Sequence, residues 1–199
     1  LPVRPDSSFF SRLTRAFQRI AASLDRAVQL NITFLEESDP TAIARRIANP
    51  PTPRAGFVVA APDTDAIRHA LREVVAKGLS VVQVVSRIVD EADFVGTENH
   101  AAGRTAGLML SRMCRSSGSV LALCHSGSYE VHCARLRGFS DYLTANTPDA
   151  LRFVFTAFGQ DNRDLTARRL REALREWPDL AAIYNVGGAN TAVFDGLSR

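Results

Sequence analysis

The stretch from Phe94 to Phe139 limits what this chain can fold into more than any other. It opens on Phe94-Val95-Gly96-Thr97-Glu98-Asn99, a short apolar run ending in a polar tip. A helical pattern built largely from small residues follows, at Ala101, Ala102, Gly103, Ala106, Gly107 and Met109. A second apolar run, Val120-Leu121-Ala122-Leu123-Cys124, ends in His125-Ser126-Gly127-Ser128, and Arg135-Leu136-Arg137-Gly138-Phe139 closes the next helix. Apolar run, polar tip and helix in repetition is the order of a parallel α/β sheet, whose binding groups stand beyond the carboxyl ends of the strands. Such an order favours a ligand-binding module.

The rest of the chain extends the pattern in both directions. Before it, Phe10, Leu13, Phe17, Ile20 and Leu24 keep a helical period, with Arg12, Arg15 and Arg19 on another face. Val28, Leu30, Ile32 and Phe34 alternate with polar residues as a strand does. Asp39-Pro40 predicts a helix start, with Ile43 and Ile47 on its buried stripe. Gly56–Ala60 reads as a buried strand, Thr64 or Asp63 as the cap of a helix ended by Gly78, and Leu79–Val85 as a strand ending at Ser86-Arg87. After Phe139 come a strand at 151–155, a helix at 165–177, a strand at 181–186 and the start of another helix near Val193-Phe194. Strands recurring at βα-unit spacing predict two lobes, 1–96 and 97–199, with a cleft for a ligand.

With 199 residues, 46% of them hydrophobic, the chain can bury a sizeable core. A net charge of +3 is too mild to argue for nucleic acid. Cys114, Cys124 and Cys133 form neither a CxxC pair nor a metal spacing, which favours buried thiols in a reducing compartment. No apolar run reaches the length of a membrane span.

No strong catalytic constellation is present. GxSxG, the phosphate-binding GxxxxGK[ST] and HExxH are all missing. His125 beside Ser126 does not make a hydrolase, because adjacent residues are seldom aligned for proton transfer. Gly187-Gly188-Ala189-Asn190 lacks a dinucleotide fingerprint, and His132 with Cys133 cannot both face one metal ion. Neither an enzyme, a cofactor nor a metal is expected. The useful groups are those repeated at strand tips: Ser86-Arg87, Glu98-Asn99, His125-Ser126, and Asn185 with Asn190. Arginine, asparagine and carboxylate groups offer the directed donors and acceptors that sugar hydroxyls need, and Phe9 or Phe10 can cover a sugar's apolar face.

Phe9-Phe10 after a polar loop, the Ser86-Arg87 tip, Gly96-Thr97-Glu98-Asn99 with Ala102-Gly103, Arg135-Leu136-Arg137-Gly138-Phe139 and Ile183–Asn190 together resemble the type I periplasmic-binding-protein fold. Within it they are most similar to the sugar-responsive effector domains of LacI-type transcriptional regulators. The resemblance implies two lobes of parallel sheets flanked by helices, incomplete at both ends, with ligand contacts from Ser7, Phe9, Phe10, Ser86, Arg87, Glu98, Ser126, Arg135, Asn185 and Asn190. It further implies a cytoplasmic homodimer that binds a carbohydrate-like effector, and operator DNA through a helix-turn-helix absent from this chain. The alternative is the periplasmic sugar-binding component of an ABC transporter, which shares the fold. The unpaired cysteines and the many arginines favour the regulator.

Overall fold

The computed structural model describes residues 1, 8–25, 27–147, 149–188 and 190–197. The chain divides into two compact units, Leu1–Gly96 and Thr97–Arg199. Each is an α/β structure with its own three-stranded, wholly parallel sheet flanked by helices.

Unit 1 contains α1 (Ser8–Ser23), α2 (Pro40–Ala48), β1 (Gly56–Val59), α3 (Asp65–Ala76), β2 (Ser80–Val84) and β3 (Asp93–Val95), with sheet order β1-β2-β3. Local chemistry sets these boundaries. The Ala42 amide donates to Asp39 Oδ1 at 2.8 Å, and Pro40 occupies the first turn of α2, where its missing N–H costs nothing. Thr64 caps α3 by accepting from the Ile67 amide. At the far end Gly78 takes φ +82°, the Leu79 amide reaches the Val74 carbonyl at 3.1 Å, and the Gly78 amide reaches Val75 at 2.9 Å. That pair of bonds satisfies carbonyls the helix would otherwise leave open. Ile67 and Leu71 are fully buried with Ile43, Ile47, Val74 and Val81, each large side chain contributing about 1.5–3 kcal/mol of burial.

One expected strand is absent among the described residues. Val28, Leu30 and Phe34 alternate as a strand should, yet they are exposed, and only an isolated bridge at Leu35 is formed. The described bonds of this segment go to Leu1: its amine donates to the Thr33 carbonyl and its carbonyl accepts from the Leu35 amide, both at 3.0 Å. Alternation reports only that a strand could form; continuous pairing is a tertiary property.

Unit 2 contains α4 (Asn99–Met113), β4 (Gly118–Cys124), α5 (Glu130–Asn146), β5 (Leu151–Phe158), α6 (Arg163–Glu176), β6 (Leu180–Asn185) and α7 (Asn190–Leu197). Its sheet order is β5-β4-β6, so β4 is central, and residues 119–124 are almost wholly buried. Fully buried Phe139 packs edge-on to Phe153 at 5.6 Å and lies over Tyr184 at 4.6 Å between ring centroids. The small-residue pattern on α4 has a direct consequence. A Cβ on Gly103 would lie 2.0 Å from the Arg135 carbonyl oxygen, and one on Gly138 would lie 2.0 Å from the His100 carbonyl oxygen. Helices α4 and α5 therefore cross at backbone-to-backbone distance.

The amino ends of the unit 2 strands are fastened by a polar set. The Ser119 hydroxyl reaches the Asp179 carboxylate at 2.9 Å, and Arg152 Nη2 donates to the same carboxylate at 3.1 Å. The Ser119 hydrogen bond first, and then Arg152, holds the Asp179 carboxyl below its ordinary value.

Candidate functional site

Of the residues predicted to meet a ligand, Ser86 and Arg87 lie just past the carboxyl end of β2, Ser126 just past β4 and Asn185 at the end of β6, while Arg135 is on the helix after β4. In unit 1, Phe9 and Phe10 stand in the first turns of α1 with their rings edge to face at 5.2 Å. They part company there: Phe9 is about half exposed, whereas Phe10 is buried against Ala60 and Val84 at the ends of β1 and β2. Ser86 is also buried, while Arg87 projects from the β2 tip. The Arg87 guanidinium lies over the Phe94 ring at 5.3 Å and 3.7 Å from Asp90. Ser7 lies outside the described residues.

In unit 2, Glu98 is the N-cap of α4, accepting from the Ala101 amide, so part of its acceptor capacity is committed to the helix. Arg135 of α5 is half-buried and donates through Nε to Asn99 Oδ1 at 3.0 Å. The Ser126 hydroxyl meets Ser128 Oγ at 2.9 Å, and its carbonyl accepts from His132 Nδ1 at 3.1 Å. Asn185 ends β6 and Asn190 opens α7; the Asn185 amide donates to Asn190 Oδ1 at 2.6 Å.

Three strand tips of unit 2 are laced together. The Gly159 and Gln160 amides donate to the Cys124 and His125 carbonyls at 2.8 and 2.9 Å, and the Val186 amide donates to Leu123 at 2.8 Å. At their meeting point stands Asp161, which is not among the residues predicted to meet a ligand. Its Oδ1 accepts from the Gly188 amide at 2.8 Å and its Oδ2 lies 3.5 Å from buried His125 Nδ1. A Cβ on Gly187 would come within 3.0 Å of that carboxylate, so the glycine makes room for it. Gln160 and Asp161 adopt φ +52° and +51°, a conformation that costs a non-glycine residue energy and recurs at ligand-binding sites. The available signal was Gly159-Gln160-Asp161-Asn162, one more polar tip after an apolar strand. Nearby, burial pushes the Cys124 thiol up to about 12. The arrangement offers amide, carboxylate, hydroxyl and guanidinium groups for binding. No group of three or more metal-ligating side chains occurs among the described residues.

Comparison with known proteins identifies the family. The model of the periplasmic binding protein domain matches residues 1–198. The chain belongs to this family. Solved structures agree with the fold of this periplasmic binding protein domain. An arabinose-binding protein from Geobacillus stearothermophilus superposes with a TM-score of 0.71 at 21% identity, covering 99% of this chain and 68% of that one. The fructose-binding periplasmic domain of a hybrid two-component system gives 0.81 at 18% identity, covering 98% and 66%. An ABC-transporter solute-binding protein from Agrobacterium vitis with bound D-fucose gives 0.78 at 20% identity, covering 92% and 64%. This periplasmic binding protein domain thus spans about two thirds of the length of these structures. No curated protein sequence matches it.

These findings correct several expectations. The family is that of periplasmic binding proteins, and the similar structures are sugar- and solute-binding proteins, so the assignment to LacI-type regulators is withdrawn. The operator-DNA partner, the regulatory homodimer and the cytoplasmic location are withdrawn with it. The cause is physical: the two classes share one fold, and tip order and helix-packing glycines report the fold alone. Unpaired cysteines and a modest arginine excess do not outweigh that. The non-enzymatic expectation agrees with a family of binding proteins.

Proposed function

We propose that this chain is the sugar-binding component of an ABC-type transport system, working outside the cytoplasm. The observation that carries this reading is the family match along residues 1–198. The sugar- and solute-binding structures of the same fold support it. The ligand is a small neutral sugar whose hydroxyls are received at the strand tips. Within unit 1 the groups offered are Arg87 and Phe9, and within unit 2 they are Ser126, Arg135, Asp161, Asn185 and Asn190. Arginine forks and amide groups bond vicinal hydroxyls in fixed directions, and the exposed Phe9 ring covers the sugar's apolar face.

A thermal-shift screen with L-arabinose, D-fructose, D-fucose, D-glucose and D-galactose tests the proposal. Ligand at a hundred times its Kd adds about 2.7 kcal/mol to the folded state. In a chain of this size that raises Tm by roughly 5–10 °C. A selective rise that Arg135→Ala abolishes is the expected result. A folded protein that none of these sugars stabilises refutes the reading.

A further inference from the structure

The tip of β2 is built with more care than an exposed turn requires. The Ser86 amide donates to the Val84 carbonyl at 2.9 Å, closing a three-residue γ-turn around Val85 at φ +74°. Turns of that sign are rare and strained, and a β-branched residue is the least suited to their centre. After the turn the chain places Ser86 inside and Arg87 outside, then sends Ile88 and Val89 back inside.

Gln83, two residues before the turn's central Val85 and fully buried, fixes the far side. Its Oε1 accepts from the Ile88 and Val89 amides at 2.6 and 2.8 Å, and its Nε2 donates to the Val89 and Ala92 carbonyls at 2.7 and 3.1 Å. Two donor hydrogens and two acceptor sites are the full capacity of a side-chain amide. All four bonds are spent on the segment that follows Arg87. The exposed arginine is therefore held at both flanks, by the strained turn before it and by the buried amide after it. Strain that the surroundings enforce marks ligand clamps and switches.

We propose that Gln83 is a positioning residue for ligand binding, which, together with the Val85 turn, pre-organises the Arg87 guanidinium to receive a sugar. The inference rests on the proposed sugar-binding function and on Arg87 as a ligand contact. Rigid presentation lowers the cost of ordering the side chain when the ligand arrives.

The test is a double-mutant cycle on the full chain, read by calorimetric titration with L-arabinose, D-fructose, D-fucose, D-glucose and D-galactose. Gln83→Met keeps the side-chain length and removes all four bonds. It should weaken the tightest sugar by about tenfold alone and by less than about twofold in an Arg87→Ala background, since coupled residues are non-additive. Hydrogen exchange at the Ile88 and Val89 amides should quicken in the same variant. Gln83→Glu, which keeps the acceptor bonds from the Ile88 and Val89 amides and loses both donor bonds, carries the same cycle if Gln83→Met fails to fold. Equal weakening in both backgrounds would mean that Gln83 only stabilises unit 1, and it overturns the positioning role while leaving the binding function intact. If the protein binds one of these sugars and Arg87→Ala leaves the affinity unchanged, Arg87 is no ligand contact and the positioning role falls with it. Absence of any titration in the unmutated protein overturns the functional reading and this proposal together.

Discussion

Replacing Gly103 or Gly138 by alanine should destabilise unit 2 by about 1–2 kcal/mol each. The added Cβ would lie 2.0 Å from a carbonyl oxygen of the facing helix, Arg135 for Gly103 and His100 for Gly138. Carbon and carbonyl oxygen on packed helices approach to about 3.3 Å, so α4 and α5 must part by roughly 1 Å. Both contacts are with backbone, and no rotamer change relieves them. Overpacking of this kind costs about 1–3 kcal/mol and occasionally more. Alanine recovers about 0.5–1 kcal/mol through its better helix propensity. Parting the helices also loosens Phe139 and Leu143, both fully buried. Urea unfolding followed by the fluorescence of the single tryptophan, Trp177 in unit 2, reads the effect directly. The midpoint should fall by roughly 1 M with an unchanged slope. Gly107→Ala is the graded comparison. Its Cβ would meet Tyr142 side-chain atoms at 3.0 Å, which can yield, so its cost stays within about 1 kcal/mol. The double variant Gly103→Ala with Gly138→Ala should cost less than the two singles combined, because the first substitution already separates the helices. A midpoint that rises in either single variant would show that propensity dominates and would refute the close-crossing argument.

Two further predictions concern ionisation. Asp179 is held below the ordinary carboxylate range by Ser119 and then Arg152, so its ionised form stabilises the fold at pH above the unfolded carboxyl value of about 4. That contribution is lost as pH falls through the lowered folded value; the stability gap between the unmutated protein and Asp179→Asn, read by thermal unfolding, should narrow on acidification, and a gap independent of pH would contradict it. Cys124, pushed up to about 12 chiefly by burial, should resist alkylation at pH 8 in the folded protein and react on unfolding, as peptide mapping would show, whereas rapid native labelling would contradict its buried placement.

Much of the fold was legible because local chemistry and tertiary packing agree. Asp39-Pro40, Thr64 and Gly78 mark helix ends by hydrogen bonds that their own neighbours complete, and the helices start and stop there. The segment 28–34 was misread because its alternation carried no information about pairing. Arg87, Ser126, Arg135 and Asn185 were visible as polar groups following apolar runs or lying on the next helix. Phe10 and Ser86 shared that signal but are buried, a distinction set by how α1 packs against the ends of β1 and β2. Asp161 was missed because its place depends on three strand tips meeting and on a left-handed backbone that carries no glycine. The family was misassigned at its finest level, since residues that specify how helices and strands pack are common to proteins with different partners.

Strand β4 begins at the Ser119 fastening and leads into the turn that carries Ser126. Seven residues of extended chain separate the two by about 20 Å. Substitutions in that turn therefore act far from the groups that tie the amino ends of the sheet together. A library randomised at 126–128, 185 and 190, sparing buried Val186 and the glycine that makes room for Asp161, should keep most of its members folded, with the Ser119, Arg152 and Asp179 set left untouched.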